Sequence, residues 1–160
     1  MPGAASVRNV PAMNVLWASA AVLGAIVVAT AVGLIWRARV GRIRTARGGA
    51  PGAELVRVAA VHGGLGDHAT LLQFSTEFCA PCRSTARVLA ELSERREGVA
   101  HVEVDLTDRA DLARRLGILQ TPTTFVLDPA GRSRARIGGA PRLGELVALL
   151  DSLEADRVAA

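Results

Sequence analysis

Lysine and tyrosine are absent from this sequence of 160 residues, only 3% of its residues are aromatic, and cysteine occurs twice. All nineteen basic residues are therefore arginine. The abundance of alanine, glycine and valine beside them indicates a coding bias. Arginine content alone is thus weak support for any particular binding partner.

Acidic residues are missing from the first third of the chain, where none precedes Glu54, whereas six arginines do. The remainder carries 13 arginines against 15 acidic residues, so it is nearly neutral although the whole sequence has a net charge of +4. A nucleic-acid-binding face needs a basic cluster on the folded domain. The charge pattern therefore argues against nucleic acid as a partner.

Charge is also absent from the run VLWASAAVLGAIVVATAVGLIW, which covers residues 15–36. A helix of this length reaches about 33 Å, enough to cross the hydrocarbon core of a bilayer. A buried core helix would be shorter, with a polar face, and small residues would follow the shorter apolar region of a cleaved signal peptide. We therefore predict an uncleaved transmembrane helix over 15–36, preceded by a short N-terminal tail over 1–14.

Five arginines follow the apolar run within eleven residues, and the stretch ends in GGAPGA. This composition predicts an Arg-rich juxtamembrane linker over 37–53. Cytoplasmic flanks of membrane helices carry an excess of positive charge, and only Arg8 precedes the helix. We expect a single-pass membrane protein whose C-terminal domain is cytoplasmic; the alternative is an extracytoplasmic domain.

From residue 54 onward, short apolar runs alternate with stretches of helical periodicity. The patterns predict strands at ELVRVAAV, ATLLQFS, VAHVEVD, TTFVLD and SRARI, although ELVRVAAV also suits a short helix. They predict helices at CRSTARVLAELSERRE, RADLARRLGI and RLGELVALLDSLEA. This order is typical of an α/β fold with a mixed central sheet flanked by helices. We place that domain at 54–157, after the transmembrane helix.

The two cysteines, Cys79 and Cys82, are separated by Ala80 and Pro81. A zinc site needs four ligands, or three and a water molecule, and the three histidines do not supply a convincing second ligand pair, so we expect no metal. A structural disulfide across two residues would close almost no loop and remove little entropy from the unfolded chain. The spacing therefore favours a redox couple.

The cysteine pair is predicted to lie where the strand ATLLQFS has ended and a helix begins. Free N–H groups and the helix dipole stabilise a thiolate at that position, and Pro81 fits the first turn because its missing N–H is not needed there. Cys82 comes one turn later and is expected to be more buried. This favours Cys79 as the attacking thiol and Cys82 as the resolving one.

Three segments carry a resemblance to a known family: FSTEFCAPC, ILQTPTTFVLDPAGR, and GGAP before the last helix. Residues 54–157 resemble a thioredoxin-fold domain. The resemblance implies that Pro122 is the family's cis-proline and that Thr121 offers backbone atoms to the substrate. It also implies a substrate-binding surface that consists of Phe78, Ala80, Pro81, Thr121 and Pro122.

The sequence departs from thioredoxin proper at several positions. Phe78 stands where the family usually has tryptophan. Gln73 stands where thioredoxin has a buried aspartate that helps to deprotonate the second cysteine, and an amide cannot take a proton. His101 is either a proton acceptor or an ordinary exposed strand residue. Together with the membrane anchor, these departures resemble the anchored, TlpA-like thiol-disulfide oxidoreductases.

The resemblance implies a membrane-anchored thiol-disulfide oxidoreductase that reduces protein disulfides through Cys79 and Cys82. Such a protein needs no bound cofactor, because its electrons come from another dithiol protein. The expected partners are protein disulfide substrates, a dithiol electron donor, and the membrane through one helix. Two alternatives stay open: a redox-sensing or binding module without turnover, and a disulfide-forming or isomerising enzyme.

Overall fold

The computed structural model describes residues 12–39, 41–45 and 52–158. The chain divides into two units, Met1–Arg39 and Val40–Ala160. The first contains helix α1 (Ala12–Arg39), in which Leu16–Ile35 has a mean hydropathy of 2.3. This segment is long and apolar enough to cross a membrane, and its place near the N-terminus also suits a signal sequence.

The predicted N-terminal tail and linker fall only partly within the described residues. Residues 12–14 of the tail and 37–39 of the linker belong to α1. Residues 1–11, 40 and 46–51 lie outside the described part of the chain.

The second unit alternates strands and helices in the described residues. In chain order they are β1 (Ile43–Thr45), α2 (Gly52–His62), β2 (Ala69–Ser75), α3 (Ala80–Glu94), β3 (Val99–Asp105), α4 (Ala110–Arg115), β4 (Thr123–Leu127), β5 (Ser133–Gly138) and α5 (Leu143–Val158). The strands form one sheet in the order β1-β5-β4-β2-β3. Strands β2 and β3 are parallel and the other pairs are antiparallel. The predicted mixed α/β sheet is confirmed.

The strand predicted at ELVRVAAV was wrong, because this segment belongs to helix α2. Leu55, Val58 and Ala59 are its buried residues, and their spacing of three and four places them on one helix face. Eight residues rich in valine fit either period, so local pattern could not decide between them. Packing of that face against the sheet selects the helix.

The first strand of the sheet, β1, lies inside the range predicted as a linker. Ile43 pairs with Ile137 and Thr45 with Ala135, in antiparallel register along β5. Three residues flanked by arginines and glycine give no alternating pattern that a sequence analysis can recognise. The sheet therefore begins before the predicted domain start at residue 54.

Strand β2 occupies an interior position of the sheet, and all seven of its residues are buried. Successive side chains of a strand point to opposite faces. Leu72 and Phe74 pack in the core with helices α2 and α4, and Phe74 makes an edge-to-face contact with Phe125, with ring centroids 5.8 Å apart. Leu71 packs in the second core, with α3 and α5. Gln73 lies on that second face, beneath the start of α3.

Candidate redox site

Cys79 and Cys82 form a disulfide at the beginning of helix α3. Cys79 occupies the N-cap position and is half-buried, whereas Cys82 is only 2% exposed. Pro81 lies in the first turn, as predicted. The Cys82 N–H donates to the Cys79 carbonyl at 3.0 Å. The more accessible cysteine, Cys79, thus lies at the N-terminal end of the helix, where the helix dipole stabilises an anion.

The turn between β2 and α3 positions Cys79. Strand β2 ends at Ser75, and the Cys79 N–H donates to the Thr76 carbonyl at 3.2 Å. The Cys79 backbone is extended, with φ −94° and ψ 94°, so the helix begins only at Ala80. The first N–H groups of a helix have no partner within it. Cys79 immediately precedes them in the chain, and its side chain makes no capping hydrogen bond to them.

The peptide bond between Thr121 and Pro122 is cis, the form that the resemblance implied. The Thr121 hydroxyl is 3.2 Å from the Thr76 hydroxyl, and the Pro122 carbonyl accepts a hydrogen bond from the Gly139 N–H at 2.7 Å. The loop before β4 is therefore hydrogen-bonded to the turn before Cys79 and to Gly139, which directly follows β5. The three segments that carry the resemblance converge at one end of the sheet.

Exposed apolar side chains lie in the two loops that this hydroxyl contact joins. Phe78 is 89% exposed and directly precedes Cys79, while Leu119 is 94% exposed and lies two residues before Thr121. Ala80 and Pro81 are also exposed. Leu119 was not predicted from the sequence. Leu116 and Ile118 lie in the same loop and are buried, and the local pattern does not distinguish exposed Leu119 from them. We call Phe78, Ala80, Pro81 and Leu119 the apolar rim.

A polar cluster centred on Gln73 lies beneath the disulfide. Gln73 is fully buried, and its side-chain N–H groups donate to the Cys82 carbonyl at 3.1 Å and to the Glu103 carboxylate at 3.3 Å. Its amide oxygen is 3.2 Å from His101 Nε2. Because that oxygen can only accept, Nε2 must carry a hydrogen. His101 is therefore part of this cluster and half-buried, not an ordinary exposed strand residue.

Two opposing effects act on the pKa of His101. Burial lowers it by penalising the charged imidazolium, and the nearby Glu103 carboxylate raises it; the net pKa is below the ordinary 6.5. His101 is therefore predominantly neutral at pH 7. Glu103 was not predicted from the sequence, because alternation alone marks it only as a solvent-facing strand residue.

Replacing Glu103 by glutamine is expected to lower the pKa of His101 further, because the carboxylate is removed while burial remains. Because the pKa of His101 is lower in the folded state than in the unfolded state, the contribution of this group to the free energy of unfolding is fully present above pH 6.5. It is lost as the pH falls through the folded-state pKa. In the variant this loss extends to lower pH. NMR titration of the His101 ring signals measures the shift, and an unchanged or raised pKa would contradict it.

The three histidines lie on different elements. His62 ends α2, where Nδ1 donates to the Val58 carbonyl at 2.8 Å and Nε2 accepts from the Arg109 guanidinium at 3.1 Å. His68 lies in the loop before β2, and His101 lies on β3. Within residues 12–39, 41–45 and 52–158, no group of three His, Cys, Asp or Glu side chains is arranged to hold a metal ion.

Comparison with known proteins identifies similar chains. The sequence model of the family described as Thioredoxin matches residues 60–152. The chain is 35% identical over 82 residues to Thioredoxin C-2 of Corynebacterium nephridii, covering 51% of this chain and 75% of that protein. It is also 35% identical over 72 residues to Thioredoxin H2-1 of Oryza sativa subsp. japonica, covering 45% of this chain but only 51% of the rice protein.

Among solved structures, thioredoxin f2 of Chlamydomonas reinhardtii is 27% identical, with a TM-score of 0.48, over 54% of this chain and 80% of that one. The short form of thioredoxin f from spinach chloroplast is 21% identical, with a TM-score of 0.49. It covers 72% of this chain and 96% of that chain.

Proposed function

The chain belongs to the thioredoxin family, and from this premise we propose that it is a membrane-anchored thiol-disulfide oxidoreductase that reduces protein disulfides. One observation carries the proposal: the Cys79–Cys82 disulfide lies at the start of α3, with Cys79 accessible and Cys82 buried. A bond that spans two residues does little for stability. It suits a couple that opens and closes.

The proposed reaction consists of two thiol-disulfide exchanges. The Cys79 thiolate attacks one sulfur of the substrate disulfide, and the released substrate thiolate takes a proton from water. Cys82 then loses its proton to water and attacks the Cys79 sulfur, which breaks the mixed disulfide and forms the Cys79–Cys82 bond. The second substrate thiolate leaves and is protonated. Two electrons have moved to the substrate, and a separate dithiol protein returns the pair to its reduced form.

Substrate binding is proposed at the apolar rim and at the loop that contains Thr121 and Pro122. Exposed Phe78 and Leu119 support this assignment, because large exposed apolar side chains mark interaction sites when they cluster. A substrate segment that covers them buries apolar surface in addition to forming the covalent bond. The rim accepts many sequences, since apolar contact is non-directional.

Membrane anchoring is proposed through α1, and it accords with a TlpA-like architecture. The support is the apolar segment Leu16–Ile35 and the arginines that follow it. The excess of positive charge after the helix favours a cytoplasmic domain. The cytosol also keeps thiols reduced and supplies dithiol donors, which suits a reductase.

Reduction of insulin by the full chain in detergent micelles, with dithiothreitol as electron donor, tests the proposed function. We expect turnover well above the rate with dithiothreitol alone, whereas a redox-sensing binding module would add nothing. Phe78→Ser is expected to lower kcat/KM by roughly 5- to 30-fold, because on the order of 1–2 kcal/mol of apolar contact is lost. Val61→Ser is the matched control, since Val61 is 75% exposed on α2, away from the cysteines.

Turnover of insulin and its loss in Phe78→Ser alone would support both the activity and the docking surface. Equal losses in the two serine variants would contradict the docking surface. If the protein transfers its disulfide to reduced substrates faster than it reduces oxidised ones, the enzyme forms or isomerises disulfides instead.

A further inference from the structure

Two buried hydroxyl groups beside the redox site make no hydrogen bond in the described part of the chain. Thr85 is 2% exposed and Thr124 is fully buried, and neither side-chain oxygen has a partner. Burying a hydroxyl without a partner is unfavourable. Such a group in a folded protein therefore calls for an explanation, and a redox role is one of the recognised ones.

Thr85 lies on the buried face of α3, which it shares with Cys82. It follows Cys82 by three residues in α3, and residues at this spacing lie on one helix face with Cβ atoms about 5–6 Å apart. In a helix, a threonine hydroxyl commonly turns to the carbonyl four residues earlier. For Thr85 that carbonyl belongs to Pro81, which already accepts the Ser84 hydroxyl at 3.0 Å. The Thr85 hydroxyl is thus left available on the buried face.

Neighbouring donors around Cys82 are already used. Both side-chain N–H groups of Gln73 are taken, one by the Cys82 carbonyl and one by Glu103. The Cys82 N–H donates to the Cys79 carbonyl. A thiolate formed at Cys82 when the disulfide opens cannot draw on these groups. Hydrogen bonds to an ionised acceptor are about twice as strong as neutral ones, so a free hydroxyl beside the thiolate matters most in the reduced protein.

We propose that Thr85 is a further catalytic residue, whose hydroxyl donates a hydrogen bond to the Cys82 sulfur when the disulfide is open. The inference rests on the resolving role of Cys82 in the proposed function. In the resolution step Cys82 loses its proton to water, and the thiolate, held by the Thr85 hydroxyl, attacks the Cys79 sulfur. The Cys79–Cys82 bond forms, the mixed disulfide breaks, and the leaving thiolate takes a proton from water. Thr85 keeps its hydrogen throughout and returns to the unpaired state.

The proposal predicts a shift in how resolution depends on pH. A hydrogen bond to a charged group changes an equilibrium constant by about tenfold or more. Thr85→Val is therefore expected to lower the amount of Cys82 thiolate about tenfold at neutral pH. The thiolate that remains is more nucleophilic, which offsets about half of this loss on a logarithmic scale. We therefore expect the resolution rate of Thr85→Val to be about threefold lower than that of the unchanged protein at neutral pH. The rate of the variant levels off at a higher pH, and its plateau is higher.

The resolution step can be isolated because the chain has only two cysteines. The full chain, reduced and held in detergent micelles, is mixed with dithiobis-nitrobenzoate. Attack by Cys79 releases one thionitrobenzoate, and resolution by Cys82 releases the second. The rate of the second release is measured across pH for the unchanged protein and for each variant. No protein substrate is present, so a failure to reduce insulin would count against the proposed function without deciding this proposal.

Thr124→Val is the matched control. Thr124 is as buried as Thr85, its hydroxyl is also unpaired, and it pairs in register with Gln73 on the neighbouring strand. Its substitution is expected to leave the pH profile within about twofold of the unchanged protein, as is Thr85→Ser, which retains the hydroxyl. An unshifted profile in Thr85→Val, or an equal shift in Thr124→Val, would overturn the assignment.

Discussion

Replacing Cys82 by serine is expected to abolish turnover and to leave substrates attached to the protein as mixed disulfides through Cys79. The physical reason is the difference in accessibility, because Cys79 lies at the N-cap and Cys82 is 2% exposed. A substrate disulfide can reach the first sulfur but not the second. Without a resolving thiol, the mixed disulfide persists until an external thiol attacks it.

The adducts are measured by non-reducing electrophoresis and mass spectrometry after exposure to oxidised insulin. Cys79→Ser is the matched control, since it retains one cysteine of the pair and is expected to form no adducts. Alkylation of the reduced protein at mildly acidic pH gives an independent check, with Cys79 modified first. If Cys82 were alkylated first, or if Cys79→Ser formed the adducts, the two roles would have to be exchanged.

A membrane-impermeant maleimide is expected to leave Cys79 unlabelled in intact cells after mild reduction, and to label it once the membrane is opened. Positive charge determines orientation when it lies within about 15–20 residues of a membrane helix. Five arginines meet that condition after the apolar run, against Arg8 before it. Each can gain on the order of 1 kcal/mol at the anionic inner leaflet, so the total favours a cytoplasmic domain.

The control is a cysteine introduced on the other side of the helix. Ser6→Cys, in a chain that lacks Cys79 and Cys82, is expected to be labelled in intact cells by the same reagent. Labelling of Cys79 in intact cells would place the domain outside and favour a role on exported proteins. Release of the protein from membranes by alkaline carbonate would instead indicate that α1 is removed as a signal sequence.

Local sequence patterns were sufficient for the elements that bring the cysteines to the end of a strand. The run ATLLQFS has no charged residue, and most of its large side chains are apolar, because β2 is buried on both faces. The C-A-P-C spacing, with its proline in the first turn, indicated a helix start from residues within one turn of each other. The mixed sheet followed from the order of these local elements.

Elements whose structure depends on distant partners could not be recognised in this way. Strand β1 consists of three residues that become a strand only by pairing with β5, more than 90 positions later, as the register of Ile43 with Ile137 shows. The segment ELVRVAAV fits both the helical period and the strand period. Its Leu55 and Val58 pack against the sheet, and this packing selects the helix. In both cases the deciding free energy comes from contacts that are not neighbours in sequence.

By itself, the sequence determined the redox couple, its place at a helix start, the α/β class and the apolar N-terminal helix, because each depends on residue types within a few positions. Only the tertiary structure decided what lies beneath the disulfide. Gln73, His101 and Glu103 meet through the parallel pairing of β2 and β3. The Thr85 hydroxyl is buried without a partner on the inner face of α3. Whether a buried polar group has a partner depends on atoms brought together by folding, and no local pattern encodes that.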